Sequence, residues 1–175
     1  TDIEDKQLCE DLWKESRFKQ YLEEIFVVSE EDNTPDQEVI DEVVKYIGYS
    51  CTTETKEHKA LILFGDGANG KGGFVMVMEA LLGELCASLS IQSIHDNSFL
   101  SANLYGKRLI IDTESDPKKS VAEGMFKKIV AGDTITVNKK NVQQFQITPY
   151  AKLIWTLNRL PSGVKDINSF LRRLI

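Results

Sequence analysis

Apolar residues recur at two different spacings along the chain, and this divides an N-terminal helical part from a mixed part. In residues 7–27 and 37–47 apolar side chains follow helical spacing among charged ones. From residue 60 onwards, short apolar runs typical of buried strands alternate with helical patterns. Strands are predicted at 60–64, 85–91, 107–114 and 152–157, a hairpin at 134–137 and 143–147, and helices at 74–82 and 121–131. This alternation favours an α/β core with a mostly parallel sheet over 56–175, preceded by a small helical subdomain over 1–55.

A glycine-rich loop that ends on a lysine joins the strand at 60–64 to the helix at 74–82. Glycines permit positive φ and close backbone approach, so successive N–H groups can converge on phosphate oxygens, while the lysine reaches the β- and γ-phosphates. Strand, loop and helix in this order predict an ATP site, and the alternative is a structural glycine turn. The candidate ATP-binding residues are Gly65, Asp66, Gly67, Ala68, Asn69, Gly70, Lys71, Gly72 and Gly73.

Gly72 departs from the usual phosphate-loop pattern, in which Ser or Thr follows the lysine and its hydroxyl touches Mg²⁺. Loss of this hydroxyl affects hydrolysis more than phosphate binding. Because Mg²⁺ keeps several waters and relies on one or two protein groups, carboxylates elsewhere could hold it. We therefore expect ATP binding with slow hydrolysis.

Polar side chains end two later strands. Asp112 and Glu114 lie at the end of the strand at 107–114, and Asn158 follows the strand at 152–157. Side chains alternate across a strand, so Asp112 and Glu114 point the same way and suit a shared site for Mg²⁺ and the attacking water. Asn158 is a candidate for contact with the γ-phosphate or the water. The alternatives are a solvated strand end and an asparagine in a turn.

Length and composition set the class of protein. The chain has 175 residues, 42% of them hydrophobic, which suffices for one good core. Neither a membrane-length apolar run nor a signal peptide is visible, so we expect a soluble, intracellular protein. Residues 1–60 carry 17 acidic and 7 basic side chains, and residues 61–175 carry 10 and 14. The basic excess of the second part permits a nucleic-acid partner, although it is also ordinary surface chemistry.

The chain carries an ordered set of motifs, namely the loop 65–71, the strand 107–114, the segments 127–140 and 145–149, the strand 152–158 with Pro161, and 170–174. This set resembles the ATPase part of superfamily III helicases, found in the primase-helicases of phages, plasmids and large DNA viruses. The resemblance implies an AAA+-type P-loop core, a DNA-dependent ATPase and helicase activity in DNA replication, a hexameric ring, and a location in the cytoplasm of a bacterial or infected host cell.

The resemblance also assigns roles to residues outside the loop. The segment 127–140 is similar to the family's channel-facing hairpin, on which Lys139 and Lys140 would contact single-stranded or forked DNA; ordinary exposed lysines are the alternative. Arg172 and Arg173 are similar to a pair of which one reaches a neighbouring subunit's ATP. We also expect a longer polypeptide, with a primase domain before this chain and a DNA-binding domain after it.

The sequence thus favours an ATP- and Mg²⁺-dependent motor in which Lys71, Asp112, Glu114, Asn158 and one of the two arginines are catalytic. Other replication proteins are potential partners, and a membrane is not. The alternative function is a nucleotide-binding module that assembles a ring with weak or no hydrolysis, because of Gly72. A small-molecule kinase is a weaker third reading, against which the hairpin motif and the arginine pair argue.

Overall fold

A computed structural model describes residues 2–29, 31, 33–67, 69–113, 122–139, 142–159 and 164–175. Contacts divide the chain into two compact units, Thr1–Lys45 and Tyr46–Ile175. In the described part, the helices are α1 (Asp2–Lys14), α2 (Arg17–Ile25), α3 (Gln37–Ser50), α4 (Lys71–Leu82), α5 (Ile91–Asp96), α6 (Glu123–Ala131) and α7 (Ile167–Leu171). The strands are β1 (Leu61–Phe64), β2 (Cys86–Ser88), β3 (Leu109–Asp112), β4 (Ile135–Lys139), β5 (Val142–Ile147) and β6 (Lys152–Leu157).

The first unit is helical, and side-chain caps set its helix starts. Ser16 lies between α1 and α2 and caps the start of α2, because its hydroxyl accepts the N–H of Lys19 at 3.0 Å. Asp36 caps α3 in the same way, accepting the N–H of Val39 at 3.1 Å. The apolar stripe of α2 and α3 buries Leu22 and Ile40, which are 0% and 1% exposed.

The second unit is built on a four-stranded parallel sheet of order β1-β6-β3-β2. Every crossover between its strands contains at least one helix. Along β3 and β6, side chains at alternating positions are buried on both faces, so the sheet is covered on both sides. This confirms the predicted mixed α/β class with a parallel sheet.

Aromatic packing fixes α6 and α7 on one face of the sheet. The rings of Phe126 in α6 and Phe170 in α7 lie 4.8 Å apart, and both pack against Trp155 of β6, at 6.1 and 6.3 Å. Lys127 joins the same two helices at the surface, pairing with Glu123 at 2.6 Å and with Asp166, the N-cap of α7, at 3.4 Å. The position of α7 is therefore set from both its apolar and its polar side.

The chain after α7 extends the sheet beyond β1. Ala60 donates its N–H to the carbonyl of Arg173 at 2.7 Å and accepts that of Ile175 at 2.9 Å, and Ile62 donates to the carbonyl of Ile175 at 3.0 Å. The bridge between Ala60 and Leu174 is parallel. Residues 173–175 thus occupy the position of a fifth strand, next to β1.

Tyr46 of α3 completes the hydrogen bonding at the start of β6. Its hydroxyl donates to the carbonyl of Leu153 at 2.7 Å and accepts the N–H of the same residue at 3.1 Å. Pairing with β1 begins only one residue later, at Ile154, so the phenol replaces a missing backbone partner. Burial raises the pKa of this hydroxyl and keeps it protonated.

Lys152 at the first position of β6 is 3% exposed. Its ammonium donates to the carbonyls of Thr52 at 2.6 Å and Tyr150 at 3.1 Å, and lies 4.7 Å from the ring centre of Tyr49. Desolvation, with help from the nearby Arg108, lowers the pKa of Lys152 to about 8. The lysine joins residues 49–52 to the segment that leads into β6, at the amino end of the sheet.

Several predicted boundaries shift in the structure. The pattern at 7–27 forms two helices rather than one, and α3 continues through Gly48 to Ser50 instead of stopping there. The strand predicted at 85–91 covers only 86–88, because Ser90 accepts the N–H of Ser93 and begins α5. Among the described residues, no helix combines the length and apolar character of a membrane span. The subdomain boundary at residue 55 stays a prediction.

Replacing Tyr46 with Phe removes both hydrogen bonds to Leu153 and leaves a buried N–H and C=O unpaired. We expect the free energy of unfolding to fall by about 1–3 kcal/mol, measured by chemical denaturation. Tyr105→Phe is the matched control, because Tyr105 is 72% exposed, and it should change stability by less than about 0.5 kcal/mol. Equal stabilities of the two variants would contradict this role of Tyr46.

Candidate nucleotide-binding site

The register of three parallel strands brings the predicted site residues to one edge of the sheet. Phe64 of β1 pairs with Leu157 of β6, and Asp112 of β3 pairs with Trp155 of the same strand. The glycine loop, Asn158 and Asp112 therefore follow or end neighbouring strands at their carboxyl ends. Adjacent strands are separated by about 4.8 Å, so the span from β1 to β3 is about 10 Å. This is the edge at which open α/β sheets bind ligands.

The loop begins in a conformation that only glycine adopts easily. Gly65 has φ +152°, and its N–H donates to the carbonyl of Leu157 at 3.1 Å. A Cβ atom at this position would clash with the side-chain amide of Asn69. Gly65 is thus needed both for its backbone angle and for the close approach of the asparagine side chain. Gly67 is different, since a Cβ there would meet open space.

The ammonium of Lys71 lies inside its own loop. It donates to the carbonyls of Gly65 at 2.5 Å and Asp66 at 2.9 Å, and to Oδ1 of Asn69 at 2.8 Å. Three uncharged oxygen acceptors thus satisfy the hydrogen bonding of the ammonium in the conformation that the structure records. An incoming phosphate would have to exchange with these acceptors for the lysine.

Helix α4 starts at Lys71 and directs its first N–H groups towards the loop. Gly70, the residue before the helix, has φ 86° and provides no side-chain cap. The first N–H groups of any helix lack partners within it and carry partial positive charge, so they favour an anion. Gly72 and Gly73 lie exposed in this first turn, and a Cβ at Gly72 would meet open space.

Asp112 is 1% exposed, and its carboxylate accepts the N–H of Ile91, the first residue of α5, at 2.8 Å. The carboxylate thereby ties the end of β3 to the start of α5. The predicted neighbour Glu114 lies outside the described residues, as do Ala68 of the loop and Pro161 beyond Asn158. Within the described ranges, no group of three or more His, Cys, Asp or Glu side chains could hold a metal ion.

The hairpin predicted to carry the DNA-binding lysines is formed by β4 and β5, which pair antiparallel from Ile135 with Ile147 to Lys139 with Val142. Lys139 belongs to β4 by its backbone, but its side chain and all of Lys140 lie outside the described residues. Near the distal end of β4, the amide of Asn138 donates to the hydroxyl of Ser98 at 2.6 Å. The DNA-contact role of the two lysines stays a prediction.

The two arginines lie at the other end of β1. The carbonyl of Arg173 pairs with Ala60, whereas the loop follows Phe64, four residues or about 13 Å further along the strand. The guanidinium of Arg173 donates to the carbonyl and the hydroxyl of Ser169, at 2.5 and 2.7 Å. Arg172 is exposed. The structure therefore separates both arginines from the loop of their own chain.

Sequence reasoning missed two contacts that shape the site. It assigned Asn69 to phosphate binding and did not predict that this side chain contacts Lys71 and Gly65. It assigned Asp112 to metal binding and did not predict the hydrogen bond from the first N–H of α5. The tight packing at Gly65 has no signature in the spacing of the glycines. The capping serine at position 90 could have revealed the start of α5.

Residues 63–173 match a protein family described as Family of unknown function (DUF5906). The chain belongs to this family. A putative helicase, L207/L206, of Acanthamoeba polyphaga mimivirus is 26% identical over 147 residues, which are 80% of this chain and 15% of the viral protein. The chain thus spans a small part of that relative.

Two solved structures have a similar fold. An apo structure of the NrS-1 C-terminal region matches with a TM-score of 0.68 and 20% identity, over 85% of this chain and 35% of that one. A second apo structure of the region matches with a TM-score of 0.67 and 19% identity, over 88% and 34%. At this identity the likeness shows the fold alone, and this DUF5906 chain corresponds to about a third of the NrS-1 region.

Replacing Gly65 with Ala places a Cβ against Asn69 and forces a side chain into a glycine conformation. We expect the free energy of unfolding to fall by about 1–3 kcal/mol in chemical denaturation. Gly67→Ala, in the same loop but facing open space, should change it by less than about 0.5 kcal/mol. A Gly65→Ala protein as stable as Gly67→Ala would contradict the tight packing of Asn69 on Gly65.

Proposed function

We propose that this chain is the ATPase part of a superfamily III helicase, with an AAA+-type core that couples ATP hydrolysis to movement along single-stranded DNA. The observation that carries the proposal is the register of β1, β6 and β3, which aligns the glycine loop, Asn158 and Asp112 at one sheet edge. The similarity to a viral putative helicase supports the same reading. A phage- or virus-type replication primase-helicase is the proposed context.

The proposed chemistry is phosphoryl transfer to water. Lys71 would exchange its three loop oxygens for the β- and γ-phosphates, and the first N–H groups of α4 would bind the same phosphates. Asn158 would contact the γ-phosphate, and Glu114 would orient the attacking water. Positioning and charge stabilisation supply nearly all the catalysis in this reaction, so Lys71 is indispensable on this proposal.

The donor set is compatible with Mg²⁺, which typically takes one or two carboxylates and completes its shell with phosphate oxygens and water. Asp112 and Glu114 are the proposed ligands, with Asp112 also holding α5. When bound, the ion would neutralise charge on the β- and γ-phosphates.

Arg172 is the proposed group that completes the ATP site of a neighbouring subunit. Both arginines lie about 13 Å along β1 from their own loop, so either would act in trans. Arg173 already holds the end of α7 through its two bonds to Ser169, whereas Arg172 is exposed. A site shared between copies implies a ring, and a hexamer is the proposed form.

A second candidate function is a nucleotide-dependent assembly module with little hydrolysis. Gly72 favours it, because no hydroxyl follows the loop lysine. The two functions differ in turnover and not in nucleotide binding, so an assay of hydrolysis separates them.

The ATPase rate should rise when single-stranded DNA is added. Lys71→Ala should lower it by at least about 100-fold, whereas Lys56→Ala, whose side chain is 73% exposed, should leave it unchanged. Gly72→Ser, for which there is open space, should raise the rate about tenfold if the added hydroxyl contributes about 1.4 kcal/mol. Nucleotide-dependent assembly without turnover, in the parent and in Gly72→Ser, would instead favour the assembly module.

Mixing two inactive variants tests the shared site. Lys71→Ala and Arg172→Ala should each lack ATPase activity, yet their mixture should regain part of it where an intact loop faces an intact Arg172. Arg173→Ala should mainly lower the melting temperature, because it removes the bonds to Ser169. Light scattering checks that every variant still assembles. Assembled mixtures without regained activity would contradict the role of Arg172.

A further inference from the structure

A groove of about 790 Å³ opens between residues 102–106 and 145–150 of the second unit. These segments lead into the amino ends of β3 and β6, so the groove lies at the sheet edge opposite the glycine loop. None of the residue roles assigned above uses it. Its volume is within the range of small-ligand sites, about 300–1,000 Å³.

The groove has an apolar floor and an aromatic rim. Leu104 and Ile147, on its floor, are 1% and 7% exposed. On its rim, Tyr105 is 72% exposed and Phe145 is 36% exposed. Exposed aromatic faces next to an apolar floor are suited to stacking on another planar ring.

The polar groups of the groove are uncharged. Asn103 and Gln146, which carry amides, and Thr148, which carries a hydroxyl, line the groove, and none of its lining residues in the described part of the chain is charged. Amides and hydroxyls both donate and accept hydrogen bonds, which suits the edges of nucleobases. A phosphate or another ion would find no counter-charge in this lining. The chemistry therefore favours a neutral, planar, hydrogen-bonding ligand over an ionic one.

The groove is continuous with the hairpin. Its wall includes Phe145, Gln146 and Ile147 of β5, and the same strand begins at Val142, which pairs with Lys139 of β4. Three residues of strand separate Val142 from Phe145, or about 10 Å. A short single strand could place a phosphate at this end of the hairpin, where Lys139 is proposed to contact it, and bases in the groove.

We propose that this groove binds unpaired bases of single-stranded DNA, by stacking on Tyr105 and Phe145. The inference rests on the proposed function and deepens it, because it gives the strand a second, base-dependent contact beside the phosphate contact of the hairpin. Stacking is tolerant of sequence, as a translocating motor requires.

The test compares two oligonucleotides of about 12 units, within the usual site sizes, one of thymidylate and one of abasic deoxyribose phosphate. The intact chain should bind thymidylate more tightly. Tyr105→Ala should weaken thymidylate binding about 5- to 100-fold and leave abasic binding unchanged, as measured by fluorescence anisotropy. Tyr105→Phe keeps the ring and should retain affinity. Phe99→Ala is the matched control, since Phe99 is 55% exposed and does not line the groove.

Thermal unfolding verifies that each variant is folded, and Phe145→Leu provides a second variant with the same expected base-dependent loss. Equal effects of Tyr105→Ala on both oligonucleotides, or none on either, would overturn the stacking site while leaving phosphate binding intact. If the parent chain bound neither oligonucleotide, the proposed function itself would fail, and the stacking site with it. An uncharged proline-rich peptide serves as a competitor. If this peptide bound only when Tyr105 was present and displaced neither oligonucleotide, the groove would be a peptide site and the proposal would be overturned.

Discussion

The position of β6 between β1 and β3 is the constraint on which the site depends. Because both neighbours are parallel to β6 and in fixed register with it, their carboxyl ends meet at one edge, with Asn158 beside the glycine loop and Asp112 one strand further. A slip of one residue in either pairing would move these groups and turn buried side chains to the wrong face. Tyr46 protects the register at the amino end of β6, where it supplies hydrogen bonds that no strand provides.

Within that edge, the loop lysine is held by the loop itself. Its three oxygen acceptors stabilise the cation, and the side chain of Asn69 both accepts from Lys71 and packs on the Cα of Gly65. The turn and the position of Lys71 are thus coupled. Gly65 permits the turn, and its missing side chain also leaves room for Asn69, which accepts a hydrogen bond from Lys71. Any anion that uses Lys71 competes with these internal bonds, so its net affinity is smaller than the new contacts alone would give.

The opposite edge of the sheet has a different character. Cationic side chains are bound there to backbone carbonyls, as for Lys152 and Arg173, and the C-terminal residues complete the sheet beside β1. Arg172 and the aromatic groove remain on the surface at this edge. If the first edge binds nucleotide and the opposite edge contacts a neighbouring copy and DNA bases, as proposed, the sheet would couple these two sites.

Local patterns in the sequence located most of the elements: apolar runs located the strands and glycines located the loop, whereas the break between α1 and α2 and the start of α5 were missed. They also placed Lys71, Asp112 and Asn158 at element ends, because strand periodicity and turn chemistry act over a few neighbouring residues. Only the tertiary structure decided that β6 lies between β1 and β3, that Asp112 also holds α5, and that the two arginines lie far from their own loop. These facts depend on contacts between residues up to about a hundred positions apart, such as Tyr46 with Leu153, which no local pattern encodes.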